Sequence, residues 1–164
     1  MQITFAAVLA VVTALGEFGA AHYLAIGDAY LHPVLVLGAI WATAGSDEAG
    51  LAWCFAGGLA LDIVSQRPLG STAFALLVAV RLGVLASGQL GPFKVLAPVV
   101  TVVVASPIFT IIMLAATSML TASPLAPSAL STVLPSLVYN AVIAALLGPL
   151  IMSMVLRRSA VERL

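Results

Sequence analysis

The sequence predicts an all-α integral membrane protein, a single polytopic domain over residues 1–164 folded as a bundle of about six transmembrane helices. Three observations lead there. Hydrophobic residues make up 63% of the chain and charged residues only 7%, with a mean hydropathy of +1.23. Ordinary soluble domains carry about a quarter charged residues, so this chain cannot cover a globule with a wetted surface and its solvent is lipid. The polar stretches are short and divide the chain into apolar segments, most near the roughly 20 residues that a spanning helix needs. Finally, runs such as VLAPVVTVVVA and NAVIAALLGPLIMSMVL are apolar on every face. Membrane strands alternate with period two, so these runs read as helices.

The first segment runs from Ile3 to Leu24. It lacks the basic start of a signal peptide and reads as a retained span. AIGDAYLHP breaks it. The second, Pro33 to Ala44, is short, and Pro33 suits a helix's first turn; it extends back over 29–32, tilts, or is re-entrant. GSDE separates it from the third, Ala49 to about Ser65, after which QRPLG makes a tight turn. The fourth covers Ser71 to Ser87 and is followed by GQLGPFK. The fifth, Val95 to Leu120, carries Pro98 and Pro107, which remove backbone donors and are expected to bend it. TASPLAPS is a loop, and the sixth segment runs from about Thr132 to Leu156.

Arg157, Arg158 and Arg163 cluster at the C-terminus. The positive-inside rule places that end in the cytoplasm, and an even number of spans places the N-terminus there too. Asp47, Glu48 and Lys94 then lie inside; Asp28, His32, Arg67, Pro124 and Pro127 lie outside.

The formal net charge is zero and no basic stripe exists, which argues against nucleic-acid binding. The single Cys54, between Trp53 and Phe55, reads as a buried inert thiol. Asp28 and His32 have helical i, i+4 spacing, but His22 is the only other histidine, and a zinc site recruits three or four ligands. No nucleophile is matched to a base and no phosphate-cradling loop precedes a helix. Neither an enzyme nor a cofactor is therefore expected.

Three charges fall inside apolar segments: Glu17, Asp62 and Arg81. A charge at mid-bilayer costs about 2.5–3.5 kcal/mol on insertion scales, so each needs a reason. One reading is a polar site between helices. The plainer one is an internal ion pair involving Arg81, plus an acid near enough to the interface to stay wet. Small residues are dense at Ala6, Ala7, Ala10 and Ala14 and at Gly57, Gly58 and Ala60. They serve either internal packing or a docking surface for another membrane protein.

Asp62 has a more specific expectation. The next helix begins within about two turns of chain, and its first N–H groups, near Gly70 to Thr72, lack intrahelical partners. A carboxylate folded back over the turn can accept from them and meet the positive end of the helix dipole. Gly70 would let the chain approach closely, Pro68 would fix the turn, and Arg67 would balance the charge. The alternative makes Asp62 a ligand or proton site.

The stretch FAGGLALDIVSQRPLGSTAFALLVA resembles the signature of the MreD family of bacterial rod shape-determining membrane proteins: a Gly-rich helix, an acid at Asp62, a turn with Pro68, Leu69 and Gly70, and a second apolar helix. HPVLVLGAIWA resembles the family's short second span. LPSLVYNAVIAALLGPLIMSMVLRR resembles its last, with Pro135, Asn140, Pro149 and a basic end in order. The N-terminus lacks the family's basic start, and Arg81 is not a family feature. The resemblance implies a non-enzymatic scaffold of the cell-elongation complex (elongasome) in the bacterial inner membrane. That machinery governs cell shape and peptidoglycan synthesis. The implied partners are the single-span protein MreC, the synthase RodA with its transpeptidase, membrane lipid and, indirectly, MreB filaments. The implied fold is similar to the substrate-binding component of ECF transporters, so a vitamin-binding transporter subunit is the main alternative. A binder should gather polar and aromatic groups in one pocket, and here the aromatics look scattered in sequence. An enzyme acting on lipid-linked substrates is the third reading.

Overall fold

A computed structural model describes residues 2–27, 29–121 and 133–161, with the side chains of 2, 21, 22, 24, 47, 92, 120, 121 and 152–161 left aside. Asp28, Arg163 and the TASPLAPS loop beyond Thr121 lie outside the described residues, as do the side chains of His22, Arg157 and Arg158. Among the described residues the chain forms six α-helices: α1 (Gln2–Leu24), α2 (Pro33–Ala44), α3 (Asp47–Val64), α4 (Ser71–Ser87), α5 (Ala97–Thr121) and α6 (Val133–Val161). Four of them, α1, α4, α5 and α6, are long and apolar enough to cross a membrane, so the fold is that of a multi-pass helical membrane protein. With 18 residues α3 has the length, but it carries Asp47, Glu48 and Asp62. With 12 residues, α2 rises only about 18 Å, well short of the roughly 30 Å hydrocarbon core.

That short helix is the centre of the bundle. It packs against all five others, and Val34, Leu35, Val36, Gly38, Ala39 and Ile40 are buried. α1 lies along α3, and α4 and α6 flank α5. The small residues are consumed by these contacts. Ala6, Ala10 and Ala14 have no exposed surface, and a Cβ on Gly57 would sit 2.8 Å from Val34 and 3.4 Å from Ala10. Of the two uses open to the small faces, internal packing is the one the bundle makes of them. The outward surface is apolar instead, with Phe5, Val8, Val12 and Leu15 exposed on α1 and Leu134, Val138, Leu146 and Leu150 on α6. Water would make such a surface an aggregation site; lipid does not.

The boundaries have local causes. α3 starts two residues before Ala49 because the Ser46 hydroxyl accepts the N–H of Ala49 at 3.2 Å, leaving Asp47 and Glu48 in the first turn, where the helix dipole favours acids. The GQLGPFK stretch winds into 3₁₀ turns over Gly88–Leu96, broken at Gly91. One expectation needs correcting: Pro98 sits in the first turn of α5, where no intrahelical donor is lost, so only Pro107 interrupts that helix.

Candidate functional site

α3 and α4 form a hairpin, and Asp62 holds its turn. α3 ends in a Schellman arrangement. Gln66 takes a left-handed conformation with φ 54°, its N–H donates to the Ile63 carbonyl at 3.3 Å, and the Arg67 N–H donates to the Asp62 carbonyl at 2.9 Å. Pro68 then stops the helix, and the Ser71 N–H donates to the Pro68 carbonyl at 3.2 Å. Gly70 occupies the third position of that turn with φ 93° and ψ −12°, a left-handed geometry that favours glycine. Nothing lies within 4 Å of where its Cβ would be. The glycine is thus required by its backbone angle and not, as expected from sequence, by a close approach. The close approach is at Gly58, whose Cβ would stand 2.4 Å from Ala73 Cα.

Over this turn the Asp62 carboxylate reaches back to the start of α4. Its Oδ2 accepts the Gly70 N–H at 2.8 Å. Its Oδ1 accepts the Thr72 N–H at 3.0 Å and the Ser71 hydroxyl at 3.1 Å. The residue has no exposed surface. Asp62 is therefore not an acid kept wet at the interface. Backbone donors and the positive end of α4 satisfy a buried carboxylate.

Glu17 does the same for α2. Pro33, at the first helical position, has no N–H, so Val34 offers the first orphan donor, and it donates to Glu17 Oε2 at 2.9 Å. Glu17 Oε1 lies 3.2 Å from His32 Nδ1. The extended link ahead of α2 is tied to α6: the His32 N–H donates to Asn140 Oδ1 at 2.9 Å and the Tyr30 N–H to the Ser136 hydroxyl at 2.9 Å. The indole N–H of Trp53 donates to the Val34 carbonyl at 3.0 Å. Two carboxylates from two helices thus each cap the start of another helix.

Between the two caps lies a cavity of about 320 Å³, lined by Glu17, Phe18, Tyr30, Leu31, His32, Leu61, Ser65, Arg67, Thr72 and Phe109. The His32 and Phe109 rings meet edge to face at 5.4 Å. Aromatics that look scattered in the sequence gather here with an acid, a base and a histidine.

The chain matches no protein-family model, no curated protein and no solved structure. Its reading rests on its own residues.

Of the seven residues singled out from sequence, Asp62, Arg67, Pro68 and Gly70 form the α3–α4 turn. Glu17 joins Arg67 in the cavity wall, and Asn140 holds the link beside it. Arg81 stands apart. It is exposed on α4 and lines a small hollow with Ala42, Gly50 and Leu51, where α2 ends and α3 begins. The hydrogen bonds described for Glu17 and Asp62 come from backbone N–H groups, His32 and the Ser71 hydroxyl. Asp28, weighed with His32 as a metal pair, lies outside the described residues. Among the described residues no three His, Cys, Asp or Glu side chains gather to hold a metal.

Sequence reading missed the roles of His32, Tyr30, Ser136, Trp53 and Phe109. One signal was available. Ser136 and Asn140 stand four apart near the start of an apolar helix, so both face the same way.

Proposed function

We infer that this chain is a non-enzymatic scaffold of the bacterial cell-elongation machinery, of the MreD kind. The observation that carries the reading is the stretch from Asp62 to Gly70. The residues that resemble the family signature are those that build the capped hairpin, so the resemblance falls on a working structural unit. A hairpin capped by its own carboxylate, in a bundle with an apolar outer surface, suits a protein whose task is to present surfaces to partners. Those partners are an MreC-like single-span protein, the RodA-type synthase with its transpeptidase and, through them, MreB filaments. In this reading all six helices lie within the inner membrane, in a bundle similar to the substrate-binding component of ECF transporters, with both ends cytoplasmic.

The cavity between Glu17 and Arg67 favours a second reading, a small-molecule-binding transporter subunit, because it has the mixed polar and aromatic lining that such a site needs. Purification from native membranes in a gentle detergent separates the two. Co-elution of a single-span protein supports the scaffold; co-elution of an ATPase module supports the transporter.

A further inference from the structure

The cavity carries an inference that holds under either reading. Its lining holds charges of opposite sign together with three aromatic rings. On one side is Glu17, whose side chain is 11% exposed. Its carboxylate has about four acceptor positions, of which Val34 N–H and His32 take two. Phe18, Tyr30 and Phe109 line the same space. An acid in a pocket that also holds aromatic rings is the chemistry that binds an ammonium group, through charge and, where a ring face meets it, cation–π attraction. On the other side Arg67 enters the lining from the α3–α4 turn. Its backbone N–H is spent on the Asp62 carbonyl, and its guanidinium is not among the donors to either capping carboxylate. Guanidinium forks match carboxylate and phosphate oxygens.

We propose that the cavity binds a small zwitterion, with its ammonium group at Glu17 among the rings and its phosphate or carboxylate at Arg67. The volume is at the low end of ligand pockets, which fits a molecule of few atoms or the head of a larger one. Ethanolamine phosphate has this chemistry, free in solution or as the headgroup of phosphatidylethanolamine.

The test uses the full chain in nanodiscs. Glu17 also caps α2, so its loss would perturb the fold; Arg67→Gln leaves the turn's backbone bonds in place and is the informative variant. It should unfold at the wild-type temperature. Calorimetry with O-phosphoethanolamine, in nanodiscs of phosphatidylglycerol alone, should show binding that Arg67→Gln weakens by about tenfold or more, the loss of one charge-assisted contact. Glycerol 3-phosphate, which lacks the ammonium, should bind weaker by a similar factor. If instead the free probe does not bind and native mass spectrometry finds phosphatidylethanolamine retained by wild type and lost from Arg67→Gln, the ligand is the lipid headgroup and the site stands. The proposal is overturned if neither form binds, if Arg67→Gln binds as wild type does, or if glycerol 3-phosphate binds as tightly as the zwitterion.

Discussion

The carboxylate of Asp62, in the last turn of one helix, accepts the backbone N–H of Gly70 at 2.8 Å, just before the next helix begins. With Thr72 held by the same carboxylate, two orphan donors of α4 are satisfied by one side chain from α3. Asp62 and Thr72 have no exposed surface, so no water substitutes for the carboxylate, and each unpaired buried group would cost several kcal/mol.

Replacing Asp62 should therefore separate acceptor from charge. In Asp62→Asn the amide oxygen can take the place of Oδ2, facing Gly70 N–H and, at 3.2 Å, Thr72 N–H. The amide nitrogen then donates to the Ser71 hydroxyl. One donor faces another across Thr72, so a cost of about 1–2 kcal/mol is expected. Asp62→Leu leaves two buried N–H groups unpaired and should cost about 3–5 kcal/mol. Unfolding in detergent, followed by helical circular dichroism, measures both. Equal losses in the two variants would remove the capping account.

Gly58 and Gly70 should respond differently to alanine. Gly70→Ala meets no neighbour and pays only for its left-handed backbone, about 1–2 kcal/mol. Gly58→Ala drives a methyl into the Ala73 backbone and forces α3 from α4, an overpacking cost of about 3 kcal/mol. Adding Ala73→Gly should not rescue it, since the clash is with backbone atoms. The same unfolding assay ranks the variants, and rescue by Ala73→Gly would contradict the close approach.

Gln66 is exposed and left-handed at the end of α3, where glycine is the usual residue. Gln66→Gly should stabilise the protein by about 0.5–1 kcal/mol, because the backbone strain is relieved and no contact of consequence is lost. A lower unfolding midpoint would count against this geometry.

Orientation can be read with an impermeant thiol reagent on whole cells. Cys54 is buried, so the native background is low. A cysteine at Ser128 should label and one at Ser159 should not. The reverse pattern would invert the topology derived from the basic C-terminus.

How far the sequence discloses this molecule depends on distance along the chain. The bounds of α1, α2 and α4 follow from breaks in apolar runs, and the partners of Asp62 from the short turn that holds Pro68 and Gly70. The role of Glu17 was hidden because its partner, Val34, lies across a non-helical link whose path composition does not specify. The sign of its charge is also an ambiguous guide to its partner. Glu17 and Asp62 invite a search for cations such as Arg81, whereas buried acids in a helical bundle are served equally by helix N-termini. The cavity was illegible for a related reason. Phe18, Tyr30 and Phe109 come from α1, the link ahead of α2 and α5, and only the packing of the bundle brings them to one cavity.

The claim that this chain shapes cells through its partners is tested most directly by cell shape. Depleting the protein in a rod-shaped host and measuring cell width by microscopy should show rounding or swelling, reversed by re-expression of the wild-type chain. Cells that keep their rod shape and lose uptake of a small nutrient would contradict the scaffold and establish the binding subunit in its place.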